Sequence, residues 1–216
     1  VAAYDADRIK KHEFTRPVKE DDRVRQIDAL DAQTGPVFLV YRATPSIDDL
    51  LIAVSRQPPA VDIRAAGQVR HEIWVVADEG LIRLLSAAFE ALPALYVADG
   101  HHRSAAASRV AAARKAADAG YGDKKAYNYF LAVVFPHNQM QIMDYNRLVK
   151  DLHGLDREEF LSRVAVPFHV EPSTTPVKPA RTAEFGMYLD GVWYRLTLDP
   201  GRIPWDDPVG RLDVSL

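Results

Sequence analysis

The sequence predicts an α/β (α+β) fold with a mixed sheet and flanking helices, on three observations. Apolar runs of strand length, "PVFLVY", "ALYVA" and "AYNYFLAVVF", alternate with segments of helical spacing. The stretch "LYVADGHHRSAAASRVAAARKAA" joins one such run to an alanine-rich helix through a tight polar turn. Beyond residue 150 the pattern shifts to short strands, a proline-rich loop and a hairpin. We therefore expect a main part over residues 1–150 and a smaller α+β extension over 151–216.

The elements follow in order. From Glu20 to Ala32, Val24, Ile27, Ala29 and Leu30 form a partial apolar stripe, with Pro17 near the helix start and Gly35-Pro36 as the stop. "PVFLVY" reads as a buried strand, and "SIDDLLIAVS" as a short helix with Ser46 as its cap. "RQPPAVDIRAAGQ" is loop with one short strand, and "VRHEIWVVA" alternates as a strand in which His71 faces the core. "DEGLIRLLSAAFEAL" is an amphipathic helix opened by Asp78. "ALYVA" is a strand that stops at the Asp99 turn, and the helix after it ends near Ala119-Gly120. "AYNYFLAVVF" reads as a long strand that "PHNQ" turns into a hairpin partner, "MQIMDYNRLV". "DREEFLSRV" is a helix and "VPFHV" a strand. In "EFGMYLDGVWYRLTL", Asp190-Gly191 makes a two-residue hairpin turn. That register places Phe185, Met187 and Leu189 on one face with Val192, Tyr194 and Leu196.

Composition narrows the function classes. The 216 residues are 48% hydrophobic and 26% charged, an ordinary globular balance able to fill a core. The net charge is −3 and the isoelectric point about 6.2, so no basic field argues for nucleic acid. There is no cysteine, which excludes disulfides, thiolate metal sites and a thiol nucleophile and suits the cytoplasm. No apolar run is long enough to span a membrane, so no membrane partner is expected. The chain opens at Val1 and closes on "GRLDVSL", which reads as a fragment of a longer protein.

Three constellations bear chemistry. At the first, a strand ending at Ala98 leaves Asp99 and Gly100 at its carboxyl edge, where α/β sheets bind ligands. Gly100 tolerates positive φ, the next helical turn offers unpaired N–H groups, and Arg103 adds a planar fork, together a phosphate or carboxylate site. The bland alternative is a helix capped by Asp99 with solvent-facing histidines. Adjacent His101 and His102 point about 100° apart on a helix, which speaks against joint zinc ligation; Asp99 suits Mg²⁺, which needs few protein ligands. At the second, "HEFTRPVKEDDR" concentrates His12, Glu13, Thr15, Arg16, Lys19 and Arg23 before a helix. Glu13 is a candidate base and Arg16 an anion clamp, against the alternative of a solvated charge run. At the third, Asn146 and Arg147 follow an apolar strand, with a surface ion pair as the alternative.

Taken in order, "RIKKHEFTRPVKEDDR", "FLVY", "RHEIWVV", "LYVADGHHRSAAA" and "DYNRLVKDLHGL" resemble the bacterial and archaeal domain of unknown function 1015 family over nearly the whole chain. The "DGHHR" turn is also similar to that of the ParB/sulfiredoxin-like nucleotide-binding superfamily, one branch of which comprises free serine kinases. The resemblance implies a ParB/sulfiredoxin-like core. It implies nucleotide-dependent phosphoryl transfer to a small metabolite such as serine, with ATP or ADP and Mg²⁺. On this reading Gly100, His101, His102, Arg103, Arg16 and Arg147 hold phosphate, Asp99 holds the metal, and Asp99, Glu13 and His101 carry the chemistry. The expected partners are a nucleotide and a small-molecule substrate; the oligomeric state is open. The rivals are a nucleotide-binding switch, a phosphate-ester hydrolase acting on phosphoserine, and a catalytically empty assembly domain.

Overall fold

The computed structural model describes residues 1–216. It divides into two compact units, Val1–Met143 and Asp144–Leu216.

The first unit opens with α1 (Ala2–Asp5) and a two-residue strand, β1 (Ile9–Lys10). Then come α2 (Pro17–Leu30), β2 (Val37–Tyr41), α3 (Pro45–Ser55), β3 (Val61–Arg64) and β4 (Arg70–Ile73). The unit closes with α4 (Glu79–Glu90), β5 (Leu95–Asp99), α5 (His101–Ala117) and β6 (Ala132–Pro136). Its sheet runs β1-β5-β2-β6; β1 is parallel to β5, β5 antiparallel to β2, and β2 parallel to β6, so the sheet is mixed. Period-2 alternation sends Val37, Leu39 and Tyr41 into the core. Val37 and Leu39 pack with Tyr4, Ile9 and Val97, and Tyr41 packs with Ile47 and Leu92.

Helix α5 is rich in alanine where it is buried, at Ala106, Ala107 and Ala111, beside Val110. Short side chains let its backbone lie close to its neighbours. Helix α2 has no fully buried residue. Across the α2–α5 seam, Arg109 bridges Glu20 and Asp21, and Arg114 bridges Asp28 and Asp31.

Four expectations need correction. Thr44, not Ser46, is the N-cap position of α3, and Pro45 takes the first helical turn; Thr44 gives no side-chain cap bond. His71 is exposed, because β3 and β4 form a separate two-stranded ribbon with no layer over it. The strand in "AYNYFLAVVF" is only its second half. Gln33 holds the first half, its amide donating to Tyr129 O and accepting from Leu131 N–H. Finally, "MQIMDYNRLV" is not a hairpin partner and forms no regular element. After β6, His137 Nδ1 accepts from Ala43 N–H at 3.0 Å, which ties the chain to the segment after β2 rather than back along β6.

The second unit holds α6 (Arg157–Val164), capped by Asp156, which accepts from Glu159 N–H at 2.8 Å. Its strands β7 (Phe168–Ser173), β8 (Glu184–Leu189) and β9 (Val192–Leu198) form an antiparallel sheet in the order β7-β9-β8. Asp190 and Gly191 both have positive φ, as the tight turn requires. Phe185 pairs with Leu196, Met187 with Tyr194 and Leu189 with Val192, the expected register.

The loop before β8 crosses it closely: a Cβ on Gly186 would lie 2.4 Å from Val177 O. Backbone cannot yield as a flexible side chain can, so Gly186→Ala is expected to destabilise this unit by about 1–3 kcal/mol. Denaturant titration followed by tryptophan fluorescence checks it, since Trp193 and Trp205 report on this unit; an unchanged midpoint contradicts the close packing.

Candidate functional site

Strand β5 ends at Asp99, and Gly100 turns the chain into α5 with φ 101° and ψ 28°. Only glycine adopts this left-handed conformation without strain. Space reinforces the choice: a Cβ there would lie 3.1 Å from Arg103 Nε and 3.3 Å from Val37 Cα. Gly100 is itself the N-cap and supplies no side-chain acceptor. Asp99 is therefore not the helix cap, and the first N–H groups of α5 stay free of a capping side chain. They carry the positive end of the helix dipole, which suits an anion.

Parallel pairing then brings the second block to this turn. Ile9 pairs with Leu95 and Lys10 with Tyr96, so the chain beyond Lys10 runs alongside the rest of β5 toward the start of α5. His12 N–H donates to His101 Nε2 at 3.5 Å, and Arg16 N–H donates to His102 Nε2 at 3.0 Å. Glu13 Oε2 lies 3.5 Å from His101 Nδ1, and the His12 and His101 rings meet edge to face with centroids 4.5 Å apart. A histidine that accepts at Nε2 carries its proton on Nδ1, the atom that faces Glu13.

The two histidines differ in setting. His101 is 4% exposed, while His102 is half-buried. Burial pushes the His101 pKa below its ordinary value; the nearby His12 ring adds to the shift, and Glu13 and Asp99 oppose it. His101 is held neutral near pH 7.

Between the turn and α2 lies a cavity of about 630 Å³, lined by Glu13, Lys19, Arg23, Asp99, His102 and Arg103 among others. Its charges are partly matched: Arg103 holds Asp99 Oδ2 at 2.7 Å, and Arg25 lies 3.6 Å from Asp22. Lys19 and Arg23 make no ion pair, and neither does Arg16, whose guanidinium does not line the cavity and whose contribution is its backbone N–H. Arg147 is in the second unit. It follows no strand, and its guanidinium bonds Tyr145 O at 2.9 Å and stacks 3.7 Å above the Tyr145 ring, so the strand-end argument for it falls. No three His, Asp or Glu side chains gather to hold a metal. Asp99 alone offers a carboxylate at the turn, 73% exposed.

Within the charged run, sequence alone does not single out Asp22 as a wall residue beside Lys19 and Arg23. The signal is there: 19, 22 and 23 share one face of a helix by their spacing. A larger cavity, about 810 Å³, lies elsewhere, among Val1, Asp5, Arg8, Lys115 and Tyr121. It contains none of the turn residues.

The His101 shift has a sign. With the folded pKa below the unfolded one, stability is fully present above the unfolded value and is lost as pH falls from there through the folded value. The melting temperature is therefore expected to fall between about pH 7 and pH 5, and His101→Gln to flatten that slope. The His101 NMR titration midpoint should lie below the ordinary histidine value, and Glu13→Gln should lower it further by removing an opposing charge. A midpoint at or above the ordinary value contradicts this account of the site.

Comparison with curated proteins and with solved structures gives no match. Over residues 1–215 the sequence matches the family described as protein of unknown function (DUF1015), which spans the turn, the "HEFTRP" block and both units, and the chain belongs to that family.

Proposed function

We propose that the cavity between the Asp99–Arg103 turn and residues 13–25 is the active site of a nucleotide-dependent phosphotransferase. It acts on a small metabolite, is serine kinase-like in its chemistry, and is built on a ParB/sulfiredoxin-like core. The observation that carries the reading is the uncapped start of α5 at a left-handed Gly100, opening beside a cavity in which Lys19 and Arg23 lack carboxylate partners. Free N–H groups, a helix dipole and unneutralised cations at one place select a polyanion over a neutral ligand.

Roles follow from what each side chain has left to give. The first-turn N–H groups and Arg103 hold the phosphates of ATP or ADP, and Lys19 and Arg23 neutralise charge at the cavity wall. Asp99 suits Mg²⁺: it is exposed, one oxygen is held by Arg103, and Mg²⁺ takes one or two carboxylates beside phosphate oxygens and water. When bound, that ion spreads the charge of the phosphate oxygens. Glu13 is the base. It lines the cavity, accepts no hydrogen bond, and is oriented by the Nδ1 side of His101. In the transfer, the acceptor oxygen forms its bond to the terminal phosphorus and its proton passes to Glu13. The bond to the diphosphate breaks, and its electron pair leaves on the diphosphate oxygen.

Calorimetry with Mg-ATP and Mg-ADP, and phosphorus NMR of product formed from ATP and serine, test this. Asp99→Asn is expected to keep the melting temperature and lose roughly 100-fold or more in turnover. Glu13→Gln should lose about 10²–10⁴-fold in kcat with nucleotide affinity retained. Failure of the wild-type chain to bind either nucleotide, or full turnover in Asp99→Asn, defeats the proposal.

A further inference from the structure

Arg103 stands between two cavities. Beyond the phosphate cavity is a smaller one of about 240 Å³, lined by Arg23, Gln26, Gln33, Thr34, Gly35 and Arg103 among others. Arg23 and Arg103 line both.

The smaller cavity has two guanidinium groups and no carboxylate in its wall. Arg23 donates only to the side-chain Oε1 of Gln26, at 2.7 Å. Arg103 is held by Asp99 through Nη2, but its Nε is buried with no acceptor. Its Nη1, on the Gly35 side, also has no partner and is the nitrogen an anion in the cavity can reach. The rest of the wall divides into fixed and free groups. Gln33 spends its whole amide on Tyr129 and Leu131, whereas the Gln26 amide nitrogen and the Thr34 hydroxyl have no partner. Gly35 keeps the Arg103 stem uncovered; a Cβ there would sit 3.7 Å from its Cδ.

We infer that this cavity holds the carboxylate of the phosphoryl acceptor, so that the acceptor is a small hydroxy acid or hydroxy amino acid. The inference rests on the phosphotransferase reading for the word acceptor. The anion subsite itself rests on the cavity. Two planar guanidinium forks match a planar carboxylate. The free helix N–H groups that favour phosphate belong to the other cavity. The two cavities share Arg23 and Arg103, so a carboxylate held here lies beside the phosphate cavity, where the hydroxyl of a short acceptor is required.

The experiment measures binding by NMR titration with Mg-ATP present and absent. Its probes are paired: glycerate against glycerol, and L-serine against ethanolamine, with inorganic phosphate as a separate arm. Each carboxylate is expected to bind at least tenfold tighter than its partner. Thr34→Asp, which places a negative charge in this cavity at an exposed position, should erase that difference and lower Mg-ATP affinity by a smaller factor than it lowers carboxylate affinity, since Arg23 and Arg103 serve both cavities. Gln26→Met, which removes a free donor and the oxygen that positions Arg23 without adding charge, should weaken the carboxylates several-fold. Equal binding within each pair, or no effect of Thr34→Asp, overturns the subsite. Tighter binding of inorganic phosphate than of either carboxylate, lost in Thr34→Asp, overturns its assignment to a carboxylate. Carboxylate preference without nucleotide binding sustains the subsite and removes the phosphotransferase reading.

Discussion

The left-handed backbone at Gly100 is the constraint on which the first unit turns. Strand β5 is anchored by Val97, which is 1% exposed, and α5 by Ala106 and Ala107, so neither element can shift to relieve the junction. One residue must reverse the chain between them, against Val37 of the neighbouring strand. That geometry sends His101 inward, turns His102 toward the residue 12–16 segment, and lets Arg103 close back on Asp99 across one helical turn. A capping side chain at this point would have satisfied the helix internally. Glycine leaves the helix start open to a ligand.

The floor and wall of the cavity are held by different forces. The floor, made of β5, Gly100 and the start of α5, belongs to the apolar core. The wall, α2, has no fully buried residue and is fastened across the α2–α5 seam by arginine-carboxylate bridges at its surface. Exposed pairs of this kind contribute about 0–1 kcal/mol each and weaken with salt. The wall is thus the less stable side. Since α2 carries Lys19, Arg23 and Gln26, the groups assigned to the ligand sit on the element that adjusts most cheaply, while the backbone donors sit on the element that does not.

Much of this was legible in the residues. Apolar runs of strand length marked β2 and β5, Asp78 marked the start of α4, and Asp190-Gly191 marked the hairpin, because in each the local chemistry and the tertiary outcome agree. The failures share a cause: the deciding interaction lies far off in sequence. β1 is two residues long and exists only by pairing with β5, and no local pattern of that length can announce a strand. His71 alternates like a core residue, yet nothing covers its ribbon. "MQIMDYNRLV" has strand composition, but the His137–Ala43 bond leads the chain away from β6. For the site, the DGHHR turn was readable from glycine, polarity and position. That the "HEFTRP" block reaches it depends on the parallel register of β1, which the sequence alone does not display.

The histidine pair shows why residue type and residue role part company at this site. Two adjacent histidines invite a metal or a proton relay. Here both Nε2 atoms accept main-chain N–H groups from the same segment, one from His12 and one from Arg16. Each ring therefore replaces a ladder hydrogen bond that β1, stopping at Lys10, does not provide. A nitrogen committed to a backbone donor is not free to take a proton from a substrate without releasing that donor. The ring nitrogen left over, His101 Nδ1, faces the Glu13 carboxylate at 3.5 Å. Burial keeps the imidazole neutral, so its Nδ1–H faces the Glu13 carboxylate as a dipole rather than as a full charge. The histidines, which look like the chemistry, are thus spent on holding the residue 12–16 segment, Glu13 included, against the turn.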